Sequence, residues 1–176
     1  MDTLEPLVRR AQAGDDSAFE ALLNNCYDSM FRFALKYCGD VHNAEDITHQ
    51  ACLKLAGGLQ QFRFEAAFSS WLYRLVINCA RDWQRKHARE AERLTATGTT
   101  PEASEAGAAE NLVHLQQVIG QISAMGDGYR EAAALVFGES MSHREAATVL
   151  ETSESTISWR IHEIRKHLAA RGGENL

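Results

Sequence analysis

The sequence predicts an all-α chain, two small helical domains joined by a flexible linker, the C-terminal one containing a helix-turn-helix. Three observations predict it. Apolar residues recur at three- and four-residue steps along most of the chain, the period of an amphipathic helix. The only prolines are Pro6 and Pro101, so long helices are permitted almost everywhere. The stretch from Thr95 to Gly107 holds no large apolar residue and separates two well-patterned regions, as a tether does. The expected division is therefore residues 1–94, a linker over 95–107, and residues 108–176. With 176 residues, 45% of them apolar and 24% charged, the chain can bury a core without help from disulfides or metal.

Each element has its own signal. Leu4, Leu7, Val8 and Ala11 make a short amphipathic start, and Gly14-Asp15-Asp16-Ser17 reads as a turn carrying an N-cap. Phe19, Leu22, Leu23, Cys26, Met30, Phe33, Ala34 and Tyr37 continue the helical period up to Gly39. A third helix starts near Ala44, with Ile47, Ala51, Leu55 and nearby apolar groups on one face, and Gly57-Gly58 frays or ends it. An aromatic loop over residues 61–68 then leads to Ser69 and Ser70, either of which can cap a helix reaching about Arg93. Beyond the linker, helices are expected near 109–124, 128–138, 142–150 and 154–169.

Charge and cysteine usage bound the function. The net charge of −6 is uneven: residues 1–60 carry −4, 61–94 carry +3, 95–140 carry −5, and 141–176 are neutral. An acidic chain with a basic island can still meet nucleic acid. Cys26, Cys38, Cys52 and Cys79 never form a C-x-x-C pair, and buried thiols are their expected role. Cys38, His42, His49 and Cys52 form too loose a set for a metal site, so no metal or cofactor is expected. No phosphate loop, metal pair or nucleophile constellation supports an enzyme. No apolar run is long enough for a membrane span and no secretory h-region is visible, so a cytoplasmic protein without membrane insertion is expected.

In the C-terminal half, Ser142 and Glu145 have capping-box spacing at the head of a helix through Leu150. The break Glu151-Thr152-Ser153 precedes a second helix whose Ile157, Ile161, Ile164 and Leu168 form one stripe for burial. Ala146 and Ala147 are small enough to let the two helices cross closely. That layout is a helix-turn-helix, with Glu151 at a turn position where glycine is common. The second helix leaves Ser155, Ser158, Trp159, Arg160, His162, Arg165 and Lys166 to solvent, groups suited to base edges, sugars and phosphates. A helical hairpin with a solvated polar face is the plainer reading.

In the N-terminal half, Arg74, Asn78, Arg81 and Arg85 step by 4, 3 and 4 along one cationic face. Leu72, Val76, Cys79 and Trp83 make the adjoining face for burial. Phe62, Phe64, Phe68 and Trp71 stand just before or at the head of this helix. Phosphate attraction beside stacking surfaces suits unpaired bases better than a closed duplex. The competing reading is that Phe62, Phe68 and Trp71 plug a helical core.

The segments Asn43-Ala44-Glu45-Asp46-Ile47-Thr48-His49-Gln50, Phe62-Arg63 through Phe68, Trp71-Leu72-Tyr73-Arg74, Asn78 and Asp82-x-x-Arg85 resemble sigma domain 2. Residues from Tyr129 to Lys166 resemble sigma domain 4. Their order and the linker between them resemble the extracytoplasmic-function (ECF) class of bacterial sigma factors, over nearly the whole chain. Phe64 stands where that family often has glycine, Gln50 replaces a common glutamate, Ala56 a common tryptophan, and Met125-Gly126 a usual Leu-Pro.

The resemblance implies an alternative sigma factor with no catalytic residues, which binds core RNA polymerase and directs promoter-specific initiation. It implies docking on the β′ coiled coil through Glu45, Asp46, His49 and Gln50. It further implies −10 recognition and melting through Arg63, Phe64, Arg74, Asn78, Arg81 and Arg85. Ser155, Ser158, Trp159, Arg160, His162, Arg165 and Lys166 would read the −35 element, with domain 4 also touching the β flap. An anti-sigma factor is the implied regulatory partner. The alternative is a conventional helix-turn-helix regulator that binds closed duplex DNA, which leaves the cationic face and aromatic loop without a task.

Overall fold

The computed structural model describes residues 4–96 and 110–172, and their side chains over 4–93 and 113–170. Eight α-helices form the frame among the described residues: α1 Glu5–Gln12, α2 Asp16–Cys38, α3 Val41–Gly58, α4 Phe68–Ala96, α5 Glu110–Ser123, α6 Tyr129–Ala133, α7 His143–Leu150 and α8 Glu154–Gly172. A 3-10 turn, Leu59–Gln61, follows α3. A π-helical turn, Ala134–Gly138, continues α6. Helix α4 runs past the expected Arg93 through Ala96, so the linker's first two expected positions are helical. Positions 97–107 of that linker lie outside the described residues.

Local chemistry sets the boundaries in the first half. Asp15 caps α2 by accepting from the Ala18 amide at 3.0 Å. Gly39 ends α2 in the left-handed conformation, φ 74°, where a side chain is disfavoured. Asp40 then caps α3 by accepting from the Asn43 amide at 2.8 Å. The apolar stripes of α1 to α4 meet around Leu22, Met30, Phe33, Tyr37, Ile47, Leu55, Leu72 and Ile77, all essentially inaccessible to water. Each such side chain contributes roughly 1.5–3 kcal/mol on burial.

The second half is built on the helix-turn-helix. Ser142 and Glu145 form a reciprocal capping box at the start of α7. Ala146 and Ala147 are buried, allowing α7 and α8 to cross closely. Glu151 occupies a left-handed φ of 52°, so the turn keeps a glycine-type geometry with a charged residue in it. Ile157, Ile161 and Ile164 are buried as their spacing predicts, whereas Leu168 is only half-buried.

The halves touch. Helices α7 and α4 pack together, and the π-helical turn rests on α2. Lys36 Nζ donates to the Gly138 carbonyl and lies 2.8 Å from Glu139 Oε1. The Tyr73 hydroxyl donates to Glu139 Oε2 at 2.6 Å. Glu131 is buried between Arg81 Nε at 2.7 Å and the Tyr37 hydroxyl at 3.5 Å. Burial, reinforced by the Glu131 charge, pushes the Tyr37 hydroxyl far above its usual range.

Cys26 and Cys79 are buried and Cys38 and Cys52 half-buried. Burial raises all of these thiols, Cys26 and Cys38 to about 11, which keeps them protonated near neutrality. Among the described residues no helix is long and apolar enough to cross a membrane. No cluster of three or more potential metal ligands occurs among them either.

Candidate nucleic-acid interface

Helix α4 presents the cationic face because its other side is committed to the core. Leu72, Val76 and Cys79 are buried and Trp83 half-buried, which turns Asn78, Arg81 and Arg85 outward and leaves Arg74 half-buried. Asn78 and Arg74 border an open depression of about 460 Å³ with Lys54, Gly57, Gly58, Gln61, Trp71 and Leu75. Arg85 lies 2.5 Å from Asp82 and Lys54 lies 2.9 Å from the same carboxylate. Hydrogen bonds from Lys54 and then Arg85 hold the Asp82 carboxyl below the usual range.

The aromatic loop divides into core and rim. Phe62 and Phe68 are buried with ring centroids 5.4 Å apart, edge to face. Phe64 adopts a left-handed φ of 59°, the conformation expected where glycine is common. Its half-buried ring lies 4.8 Å from Phe62 and carries the Arg9 guanidinium 3.9 Å from its centroid. Phe64 is therefore already packed, and of the loop's candidates Arg63 is the exposed one. Trp71 is half-buried, 5.5 Å from Phe62.

On α8, Ser155, Trp159, His162, Arg165 and Lys166 are exposed as expected. Ser158 and Arg160 correct the expectation, because both are half-buried. The Ser158 hydroxyl is held 2.8 Å from His143 Nδ1. Arg160 packs against Gly128, whose φ of 81° and missing Cβ leave room for the guanidinium. Trp159 is 56% exposed, an unusual position for an indole, with Tyr129 5.8 Å away. Arg165 stands 5.6 Å over the Phe137 ring.

Helix α3 sets Glu45, Asp46, His49 and Gln50 together on one exposed face. Asp46, His49 and Gln50 also border a recess of about 520 Å³ shared with Trp83, Lys86 and His87 of α4. Leu53 extends this polar face, 67% exposed. Sequence reasoning missed it by assigning the apolar groups near Leu55 to one buried face. The signal was present: Leu53 falls out of step with Ile47, Ala51 and Leu55. Arg144, highly exposed at the start of α7 and 3.5 Å from Glu154, was missed as well.

Arg74 and Arg81 are not free in this arrangement. Arg74 donates from Nε to the Val149 carbonyl at 3.1 Å, from Nη2 to the Thr148 carbonyl at 2.9 Å, and from Nη1 to Glu151 at 2.7 Å. Arg81 is engaged by Glu131.

Residues 22–90 match the family model for sigma-70 region 2. The chain is 26% identical to the ECF RNA polymerase sigma factor SigW of Bacillus subtilis, over 92% of each chain. It is 27% identical to a probable RNA polymerase sigma factor, RfaY, of Xanthomonas campestris pv. campestris, covering 93% of this chain and 44% of that relative's length. Its fold resembles that of CnrH, solved in complex with the cytosolic domain of CnrY, with a TM-score of 0.74, 22% identity and 97% of each chain covered.

Proposed function

We propose that this chain is a sigma factor of the extracytoplasmic-function class, which binds core RNA polymerase and directs it to promoters with separate −35 and −10 elements. One observation carries the reading. A cationic helix bordered by an aromatic loop shares a chain with a helix-turn-helix whose second helix exposes an indole, an imidazole and cations. The first arrangement suits unpaired bases and the second a duplex, and initiation needs both.

In this reading residues 1–94 act as sigma domain 2, 95–107 as an acidic tether and 108–176 as sigma domain 4. Asn78, Arg74, Arg81, Arg85 and Arg63 engage the −10 strand, and Phe64 shapes the loop that meets it. Extruding a base costs a few kcal/mol, which stacking and phosphate contacts offset. Ser155, Trp159, His162, Arg165 and Lys166 meet the −35 duplex, while Ser158 and Arg160 orient α8 from behind. The exposed acidic face of α3, with Leu53, docks on the β′ coiled coil, and the second half meets the β flap. The chain works where polymerase works, in the cytoplasm, and contributes no catalytic group. An anti-sigma factor covering these faces is the regulatory partner.

The test is core binding. Asp46→Lys combined with Leu53→Ser should weaken affinity for purified core polymerase by at least about tenfold, an energy of about 1.4 kcal/mol. Unchanged affinity would remove α3 from the interface.

A further inference from the structure

Helix α1, to which the proposed function assigns no contact, is bonded to both ends of the turn that feeds the aromatic loop. We propose that Arg9 and Gln12 of α1 are positioning residues for that loop, and that through it they set the discrimination among −10 bases. The inference rests on the reading of the loop as a segment that meets the −10 strand.

Gln12 is half-buried, and its Nε2 donates to the Leu59 carbonyl and to the Phe62 carbonyl, each at 2.8 Å. These residues bracket the 3-10 turn: Leu59 opens it and Phe62 follows its last residue. Gln60, inside the turn, donates back to the Gln12 carbonyl at 2.9 Å. A single side-chain amide therefore fixes both the entry to the turn and the exit into the loop. A glutamine amide carries the two N–H groups that these bonds need, and a methionine of similar length carries none.

Arg9 lies three residues before Gln12, on the same face of α1, and acts on the next part of the loop. Its guanidinium stands 3.9 Å from the Phe64 ring centroid, and the Phe62 ring packs 4.8 Å from the same ring. Phe64 needs such an anchor, because its φ of 59° is disfavoured for any residue with a Cβ. The ring contacts offset that strain and keep the aromatic group on α1. Arg63, Glu65, Ala66 and Ala67 meanwhile stay exposed. The loop is held at Phe62, Phe64 and Phe68 and open between them, which leaves its short residues to meet a base edge. Where they stand decides which base fits, so loosening the loop blunts base preference.

The test has two readouts. Amide hydrogen exchange by mass spectrometry reads residues 59–67 in the free full-length chain. Permanganate reactivity reads open-complex formation by the chain on core RNA polymerase, on a promoter selected by run-off transcription and on single-base variants of its −10 element. The ratio between selected and variant promoters reports discrimination, and a lowered fraction of folded protein leaves that ratio unchanged. The variants are Q12M, R9Q, R9K, which keeps a cation over the ring, and R10Q, which removes the same charge from an exposed site on α1. R9Q is repeated in an F64G background, where neither ring nor strain remains.

Positioning predicts faster exchange over 59–67 in Q12M and R9Q, with α2 and α3 unchanged. Discrimination should fall about tenfold in Q12M and about threefold in R9Q. R9K and R10Q should keep the wild-type ratio, and R9Q should change nothing further in F64G. Unchanged exchange would overturn the positioning role whatever the protein does. A loosened loop with undiminished discrimination would overturn the link to base choice, and an equal fall in R10Q would reduce the effect to charge. Equal effects of R9Q with and without Phe64 would overturn the Arg9–Phe64 anchor. Failure of the wild-type chain to open any promoter would instead overturn the reading of the loop as a strand contact, and the role in base choice with it.

Discussion

At the scale of single residues, the first helix of the helix-turn-helix starts on a reciprocal cap that one substitution removes. Ser142 accepts from the Glu145 amide, while the Glu145 carboxylate accepts from the Ser142 amide at 2.8 Å and its hydroxyl at 2.7 Å. Those bonds, led by the hydroxyl, hold the Glu145 carboxyl below its ordinary range. Because the folded value is depressed, the cap stabilises above the unfolded carboxyl's value near 4.5 and loses that contribution as pH falls through the folded value. Ser142→Ala should cost about 1 kcal/mol in urea unfolding at pH 7. The difference between variant and wild type should shrink as pH drops below about 4. A constant difference across that range would remove Glu145 from the cap's energetics. Gly128→Ala places a side chain at φ 81° and against Arg160, and should cost roughly 1–2 kcal/mol, read by the same titration.

At the scale of elements, the proposed function divides the nucleic-acid work between α4 and α8. Replacing Arg74 and Asn78 together by alanine should impair −10 engagement and leave core binding intact, because neither lies on the exposed α3 face. Equal loss of core binding, measured with purified polymerase, would make the division wrong. Replacing Arg165 and Lys166, both exposed, should lower −35 duplex affinity and reduce the slope of log affinity against log salt by about 2. Arg160 is the poorer choice, since its half-buried packing on Gly128 mixes folding with binding.

The elements were legible in the sequence because helical periodicity and caps are local. Asp15, Gly39 and the Ser142–Glu145 pair set boundaries within a few residues of themselves, whereas α3, expected from about Ala44, starts at Val41 on the Asp40 cap. The interface residues were legible only in part. The steps of α4 predict which side of the helix faces out, and Asn78, Arg81 and Arg85 do face out. What covers an outward side is a long-range fact, and Arg74 meets Thr148, Val149 and Glu151 across much of the chain. Ser158 and Arg160 failed for the same reason: a helical step places them beside solvent, but His143 and Gly128 come from other elements. Phe64 was read as open to a strand, and its ring is instead taken by Arg9 of α1.

At the scale of the whole molecule, the proposed function joins two modest nucleic-acid surfaces whose usefulness depends on a common platform. A tether between them raises the effective concentration of the second contact once the first is made, but only when geometry allows both. Arg74 and Arg81 are paired within the chain with Glu151 and Glu131, so in the proposed function they exchange these partners to engage a melted strand. Free protein should accordingly bind promoter duplex weakly, and specificity should emerge on polymerase.

The most direct test adds the purified chain to core RNA polymerase with a library of promoter fragments, and reads run-off transcripts together with permanganate-reactive thymines. The account predicts sequence-specific transcripts whose start sites lie just downstream of reactive thymines, absent without the chain and reduced by R74A/N78A. Tight, specific binding to closed duplex by the chain alone, with neither core binding nor transcription, would contradict it.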